Sequence, residues 1–114
     1  MNVSISTGSC RTLPFWAWNG RLDSGELRRQ IRIFREMGYG GFFMHARTGL
    51  DTGYLCAEWF DAVRTCIDEA RRTGLEAWLY DEDRYASGSG SGEIGRNRRF
   101  RRRTLEVERL ETPR

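Results

Sequence analysis

A helix end, a glycine and an apolar strand recur with a spacing of 36 residues in this 114-residue chain. Residues 35–45 align without gaps to residues 71–81, with Gly38 and Gly74 at equivalent positions. A repeat of this length fits one strand and one helix of a parallel sheet, because parallel neighbours need a long crossover that is usually helical. The repeat therefore predicts an α/β fold of parallel units in the order β-α-β-α-β.

Apolar runs and local end signals place the individual elements. Strands are predicted over residues 13–18, 41–44 and 76–80. The first helix is predicted to begin after Asp23, which with Glu26 resembles a capping box, and to end at Gly38. Its apolar stripe consists of Leu27, Ile31 and Phe34. The second helix is predicted from about residue 58 to residue 73, and its stripe consists of Phe60, Val63, Ile67 and Ala70.

Positive charge is concentrated at the C-terminal end of the chain. Residues 1–95 contain 11 arginines and 13 acidic residues, whereas residues 96–114 contain 8 arginines and 3 glutamates. A Ser/Gly stretch at residues 87–92 precedes six arginines within residues 96–103, and neither composition can pack a core. We therefore predict two parts, an α/β unit over residues 1–95 and a disordered or irregular basic tail over residues 96–114.

The sequence carries no sign of export or of a membrane span. It contains no apolar run near the roughly 18 residues of a membrane helix, and residues 1–11 do not resemble a signal peptide. A cytoplasmic protein without a membrane partner is therefore predicted. The three cysteines, Cys10, Cys56 and Cys66, are odd in number and lack metal-type spacing, which predicts reduced thiols. We predict neither a bound metal nor a cofactor.

Polar and aromatic residues follow the ends of all three predicted strands. Because the carboxyl ends of parallel strands meet at one edge of the sheet, where ligands bind in α/β folds, we expect these residues to converge. The repeat also places His45 and Asp81 at equivalent positions, each seven residues after its helix-ending glycine. Rings that stack on sugars, together with amides, carboxylates and guanidinium groups that bind hydroxyls, are typical of a carbohydrate site. The candidates are Trp16, Trp18, Asn19, His45, Arg47, Asp81, Glu82, Asp83 and Arg84.

Several of these residues have a structural alternative. Strand alternation points Trp16 and Trp18 to the same face, so the core is an alternative place for either one. His45 has the alternative of a structural histidine, and Arg47 that of a brace for the strand end. The adjacent carboxylates suggest the paired acids of glycoside hydrolysis, but they lie so close in sequence that hydroxyl binding is the favoured role.

Four ordered motifs carry a resemblance to a known family. The motifs are PFWAWNG at residues 14–20, GGFFMHARTGL at residues 40–50, EWF at residues 58–60 and WLYDEDR at residues 78–84. Over residues 13–92 the chain resembles the N-terminal part of the catalytic domain of bacterial glycoside hydrolases of the α-L-rhamnosidase-like family. The resemblance implies part of a (β/α)8 TIM barrel, a carbohydrate substrate, and hydrolysis of O-glycosyl bonds by full-length members.

The resemblance also implies which residues bind the sugar. Matched motif by motif, they are Trp18, Asn19, His45, Arg47, Asp81, Glu82 and Arg84. The family's catalytic acid and base would lie on later barrel strands, so the catalytic residues stay unidentified and no turnover is expected from this chain alone. The match departs from the family pattern at residues 85–90 and ends near residue 95, whereas a complete barrel needs about 250 residues. We therefore expect a truncated or frame-shifted copy of such a barrel.

Two other functions fit the sequence less well. The arginines of residues 96–103, with Phe100, suit the phosphates of a nucleic acid, but they match no binding motif, and nucleic acid is not the expected partner. A phosphate-binding βαβ module is disfavoured because Gly38, Gly40 and Gly41 precede a strand instead of following one. The open edges of a three-stranded parallel sheet predict self-association through those edges and a marginally stable or aggregation-prone chain.

Overall fold

The computed structural model describes residues 11–84 and 90–108. In chain order its elements are β1 (Phe15–Trp18), α1 (Ser24–Glu36), β2 (Gly41–Ala46), α2 (Ala57–Thr73), β3 (Glu76–Asp83) and a one-turn helix α3 (Glu93–Arg96). The strands form one parallel sheet in the order β1-β2-β3. The predicted α/β fold with β-α-β-α-β order is confirmed. The sheet formed by the described residues is open, so a complete barrel is not shown.

Local signals set both ends of α1, as predicted. The Asp23 carboxylate accepts a hydrogen bond from the Glu26 backbone N–H at 2.9 Å, as an N-cap does. The Glu26 carboxylate accepts 2.7 Å hydrogen bonds from Arg29 and Gln30, and these bonds lower the pKa of Glu26 to about 2. Gly38 follows the helix with φ of +82°, in the left-handed region that stops a helix at little cost for glycine.

The apolar stripe of α2 differs from the predicted one. The buried apolar residues of this helix are Trp59, Ala62, Val63, Cys66 and Ala70. Phe60, a member of the predicted stripe, is 42% exposed. Trp59 packs edge-on against Trp18 and Tyr54, with centroid distances of 6.3 Å and 5.2 Å. The larger indole occupies the core position, and the helix is therefore rolled so that Phe60 turns toward solvent.

A buried carboxylate joins α2 to α1. Glu69 on α2 is 2% exposed, and its Oε1 accepts a 2.7 Å hydrogen bond from Arg32 Nε on α1. The guanidinium groups of Arg28 and Arg72 lie within 4.0 Å of the same carboxylate. Glu69 is thus compensated by three cations at the junction of the two helices.

The cysteines within the described residues are free thiols, as predicted. Cys56 is half-buried, and Cys66 is fully buried in the core. Burial raises the pKa of Cys66 to about 12, so this thiol stays protonated. Cys10 lies outside the described residues.

The two faces of the sheet differ. Strand alternation directs Trp16, Trp18, Phe42 and Met44 toward α1 and α2, where they form the core. The opposite face carries Phe15, Phe43, His45, Trp78 and Tyr80, and is called the open face below. Phe15 and Trp78 on this face are 51% and 50% exposed. The helices therefore cover one side of the sheet and leave an aromatic surface on the other.

Beyond α3 the described chain is irregular. Residues 97–108 contain neither helix nor strand, and their side chains are exposed. Arg96 pairs with Glu93, and Arg101 Nε donates a 2.7 Å hydrogen bond to the Gly95 carbonyl. These residues have the irregular character predicted for the tail, and the boundary near residue 95 stays a prediction. None of the helices within the described ranges has the length and apolar character that crossing a membrane requires.

Candidate functional site

The carboxyl ends of the three strands lie side by side at one edge of the sheet, called the carboxyl edge below. The Arg47 N–H donates to the Trp18 carbonyl at 2.9 Å, and the Arg84 N–H donates to the Ala46 carbonyl at 3.0 Å. Asn19 follows β1 directly and is exposed at the same edge. These backbone bonds hold the segments after β1, β2 and β3 together, so residues that are distant in sequence become neighbours.

Charged side chains of both signs occupy the carboxyl edge. Arg47, Asp81 and Arg84 are exposed, and Glu82 and Asp83 are half-buried. Arg47 Nη1 donates to the Arg84 carbonyl at 3.1 Å, and Arg84 Nε lies 3.9 Å from Asp83 Oδ1. Arg84 itself has φ of +71°, in the left-handed region that residues other than glycine seldom adopt. Arg47 therefore braces the end of β3 with one donor, and its exposed guanidinium has further donors for a ligand.

His45 lies on the open face just below the carboxyl edge and is only 1% exposed. Its ring contacts Phe15 and Tyr80, with centroid distances of 4.5 Å and 4.7 Å. Among the described residues neither ring nitrogen has a hydrogen-bond partner. Burial lowers the pKa of His45, Arg47 lowers it further, and the acidic groups of β3 act in the opposite direction. The imidazole is therefore neutral at pH 7, with one donor and one acceptor nitrogen.

β3 contains a bulge beside His45. Below His45 the ladder pairs residues 35 positions apart, and above it the offset becomes 37. The repeat in the sequence predicts an offset of 36, which would set His45 level with Asp81. No single residue of β3 pairs with His45: Met44 pairs with Leu79 and Ala46 with Asp83, so Tyr80, Asp81 and Glu82 lie opposite His45, with Asp81 in the middle of the bulge. The bulge also carries β3 three residues beyond its predicted end, into the acidic segment.

Trp18 lies on the other side of the sheet from the open face. It is 2% exposed and packs against Trp16 at 5.7 Å and Trp59 at 6.3 Å between ring centroids. Its indole therefore belongs to the core, and its carbonyl holds Arg47 at the carboxyl edge. Of the seven predicted sugar-binding residues, Trp18 is the one whose side chain the structure places among the helices.

Tyr54 is a residue of the carboxyl edge that the sequence analysis did not identify. Its hydroxyl donates to the Asp81 carbonyl at 3.2 Å, which ties the loop after β2 to the bulge of β3. Burial raises the pKa of Tyr54, and the nearby Asp83 and Asp81 raise it further. Neither a motif nor the strand pattern singles out this position, since it lies in the middle of a loop.

Of two grooves near the start of the β1–α1 loop, the smaller one, of about 220 Å³, is lined by the predicted residues Trp16, Trp18 and Asn19 among others, and the larger one is separate from the predicted residues. The larger groove, of about 530 Å³, lies between the β1–α1 and β2–α2 loops. It is lined by Arg21, Leu22, Asp51, Thr52, Gly53, Cys56 and Glu58. None of the predicted site residues lines it. Within the described part of the chain, no three His, Cys, Asp or Glu side chains are grouped as a metal site requires.

Comparison with known proteins shows a similarity to a solved structure. No known protein family and no curated protein matches this sequence. Among solved structures, a rhamnosidase from Novosphingobium sp. PP1Y aligns with a TM-score of 0.60 and 25% identity, over 72% of this chain. The chain is similar to one segment of that enzyme. It spans only 8% of the rhamnosidase chain, so the similarity supports a glycoside hydrolase-like α/β fold and does not extend to a whole barrel.

Proposed function

We propose that the carboxyl edge binds a carbohydrate, as part of a glycoside hydrolase-like active site that acts on rhamnose-containing glycans. The main support is the similarity in fold to a rhamnosidase at 25% identity. The chemistry of the edge agrees with this proposal, because exposed guanidinium, amide and carboxylate groups are the partners that sugar hydroxyls use.

Each of the seven predicted sugar-binding residues has a role in the proposal. Asn19, Arg47 and Arg84 donate hydrogen bonds to sugar oxygens, and Asp81 and Glu82 accept them from hydroxyls. His45 forms the floor beneath the edge, where its neutral ring offers a donor and an acceptor. Trp18 contributes through its backbone, because its carbonyl accepts the hydrogen bond from the Arg47 N–H and so holds Arg47 at the carboxyl edge.

Binding is proposed for this chain, and hydrolysis is assigned to the complete active site. Glycoside hydrolysis needs an acid and a second carboxylate that flank the scissile bond, roughly 5–9.5 Å apart. Asp81, Glu82 and Asp83 occupy consecutive positions at the end of β3 and are too near in sequence to be an obvious pair flanking a sugar ring. They suit hydroxyl recognition better than attack from opposite faces of the ring.

Titration of the full 114-residue chain with L-rhamnose, followed by two-dimensional NMR, tests the proposal. We expect weak binding, with a Kd of about 1 mM or above, because an incomplete site makes few contacts. The shifted resonances should belong to the carboxyl edge and to the ring of His45. D-glucose serves as the control sugar and should bind more weakly.

Matched variants localise the binding. Arg47→Gln and Asp81→Asn should each weaken rhamnose binding several-fold, because they remove charged partners of hydroxyls. Arg64→Gln and Asp68→Asn make the same chemical changes on the exposed side of α2, where both side chains are 67–69% exposed, and should leave the affinity unchanged. Equal affinities of the two sets of variants, or no binding of rhamnose to the wild-type chain, would overturn the proposal.

A further inference from the structure

The outer edge of β3 is the longest stretch of strand backbone that the described sheet leaves at its border. The sheet order β1-β2-β3 makes β1 and β3 the two edge strands, of four and eight residues. The Glu76 N–H donates to the Gly40 carbonyl at 2.9 Å, so the backbone groups of Glu76 and Trp78 point toward β2. By alternation, the N–H and C=O groups of Ala77 and Leu79 point outward.

Side chains along this edge are also left uncovered. On the helix side of the sheet Leu79 is 49% exposed, and on the open face Trp78 is 50% exposed. The only charged residue between positions 76 and 80 is Glu76. A long edge strand with exposed apolar side chains and little charge is a template for pairing with another strand.

We propose that β3 pairs with the β3 strand of a second copy, antiparallel about a two-fold axis at Trp78. In this register Ala77 of each copy lies opposite Leu79 of the other, so the outward N–H and C=O groups of both residues form four hydrogen bonds. The two sheets join into one sheet of six strands. The helices of both copies then lie on the same side, and Leu79 fills the gap between the two α2 helices.

Charge complementarity selects a second copy as the partner in this register. Beyond the paired segment, the acidic end of each β3 lies beside the last turn of α2 in the other copy. That turn carries Arg71 and Arg72, whose side chains are 77% and 74% exposed. Glu76 lies opposite Tyr80 of the other copy, so no like charges face each other within the ladder.

The mass of the full chain in solution tests the pairing. The interface rests on a short segment of one strand, so we expect a weak, reversible dimer. Sedimentation equilibrium should show the mass rising with concentration from 13.3 kDa toward twice that value and stopping there. A mass that stays at 13.3 kDa, or one that grows past the dimer as an open-ended assembly would, overturns the proposal.

Two charge variants distinguish pairing along the outer edge of β3 from association through the aromatic open face. Trp78→Lys places two like charges side by side at the two-fold axis and should reduce the mass to that of a single chain. Phe15→Lys is the matched control, since Phe15 is 51% exposed on the same face but lies on β1. It should leave the dimer intact. Loss of the dimer in both variants would show that the open face, and not the β3 edge, holds the copies together.

Cysteine substitutions test the register without depending on affinity. In a background with Cys10 and Cys56 replaced by serine, Trp78→Cys should form an intermolecular disulfide on mild oxidation. The reason is that the two residues at the axis form a close pair, with Cα atoms about 4.5 Å apart. Leu79→Cys is the control, because it faces Ala77 of the other copy and its own symmetry mate is about 8–9 Å away, too far for a disulfide. Equal cross-linking of the two variants would overturn the register.

Discussion

Glu69 is the buried charge at the junction of α1 and α2, and its replacement by glutamine tests how much this junction stabilises the chain. The Glu69 side chain is 3% exposed and accepts a 2.7 Å hydrogen bond from Arg32, with Arg28 and Arg72 at 4.0 Å and 3.8 Å. A hydrogen bond to a charged group contributes roughly 1.5–3 kcal/mol. The three arginine side chains are 40–74% exposed, so solvent screens these pairs. We therefore expect Glu69→Gln to lower the free energy of unfolding by about 1–2 kcal/mol.

The matched control is Asp61→Asn, which removes a carboxylate from the outer face of α2. Asp61 and its partner Arg64 are each 67% exposed, so this change should stay within about 0.5 kcal/mol. Urea unfolding followed by tryptophan fluorescence measures both free energies. The protein concentration must be the same throughout, because self-association adds to apparent stability. Equal urea midpoints for the two variants would refute the argument that the buried carboxylate joins the helices.

Three further predictions follow from single positions. Burial lowers the pKa of His45, the only histidine in the chain, so the unfolded state takes up a proton before the folded state does. The free energy of unfolding should therefore fall as the pH drops below about 6.5. His45→Asn should remove this pH dependence between pH 7 and pH 5.5, as measured by urea unfolding. A Cβ at Gly41 would lie 2.3 Å from the Glu76 carbonyl oxygen of β3, so Gly41→Ala should destabilise the chain by about 1–3 kcal/mol. A Cβ at Gly53 would lie 3.6 Å from the Cys56 side chain, an ordinary contact, so Gly53→Ala should destabilise the chain less. Cys66, with a pKa of about 12, should react with a thiol reagent only on unfolding, and Cys56 should react in the folded chain.

The elements whose ends carry local signals are the ones that the sequence predicts well. Asp23 caps α1 as expected, and Gly38 and Gly74 follow the two helices with positive φ. These signals act through hydrogen bonds and backbone conformation within a few residues, so they need no knowledge of the rest of the fold. Strand order follows for a similar reason, because each helix is a crossover between neighbouring parallel strands.

The roll of α2 and the register of β3 depend on contacts that are distant in sequence. Trp59 and Phe60 are adjacent and both apolar, so the pattern allows two stripes, and only the packing of Trp59 on Trp18 decides between them. The bulge in β3 shifts the offset of the ladder from 35 to 37, so that three residues, Tyr80 to Glu82, lie opposite His45. No residue type within the strand indicates this shift, so the repeat in the sequence predicts Asp81 opposite His45 and misses the irregular pairing around it.

Sugar binding and self-association should be separable at Arg47 and Trp78, because Arg47 follows β2 at the carboxyl edge and Trp78 lies within the paired segment of β3; the acidic end of β3 takes part in both proposals. His45 is 1% exposed within a single chain, with its ring between Phe15 and Tyr80, so its neutral state does not require a second copy. The pairing extends outward from β3, and antiparallel strands place the two carboxyl edges at opposite ends of the joined sheet. Trp78→Lys should therefore abolish the dimer with little change in rhamnose affinity, and Arg47→Gln should weaken rhamnose binding without changing the mass. A change in both properties from either variant would overturn the proposed register, because it would mean that the two copies meet at the carboxyl edge.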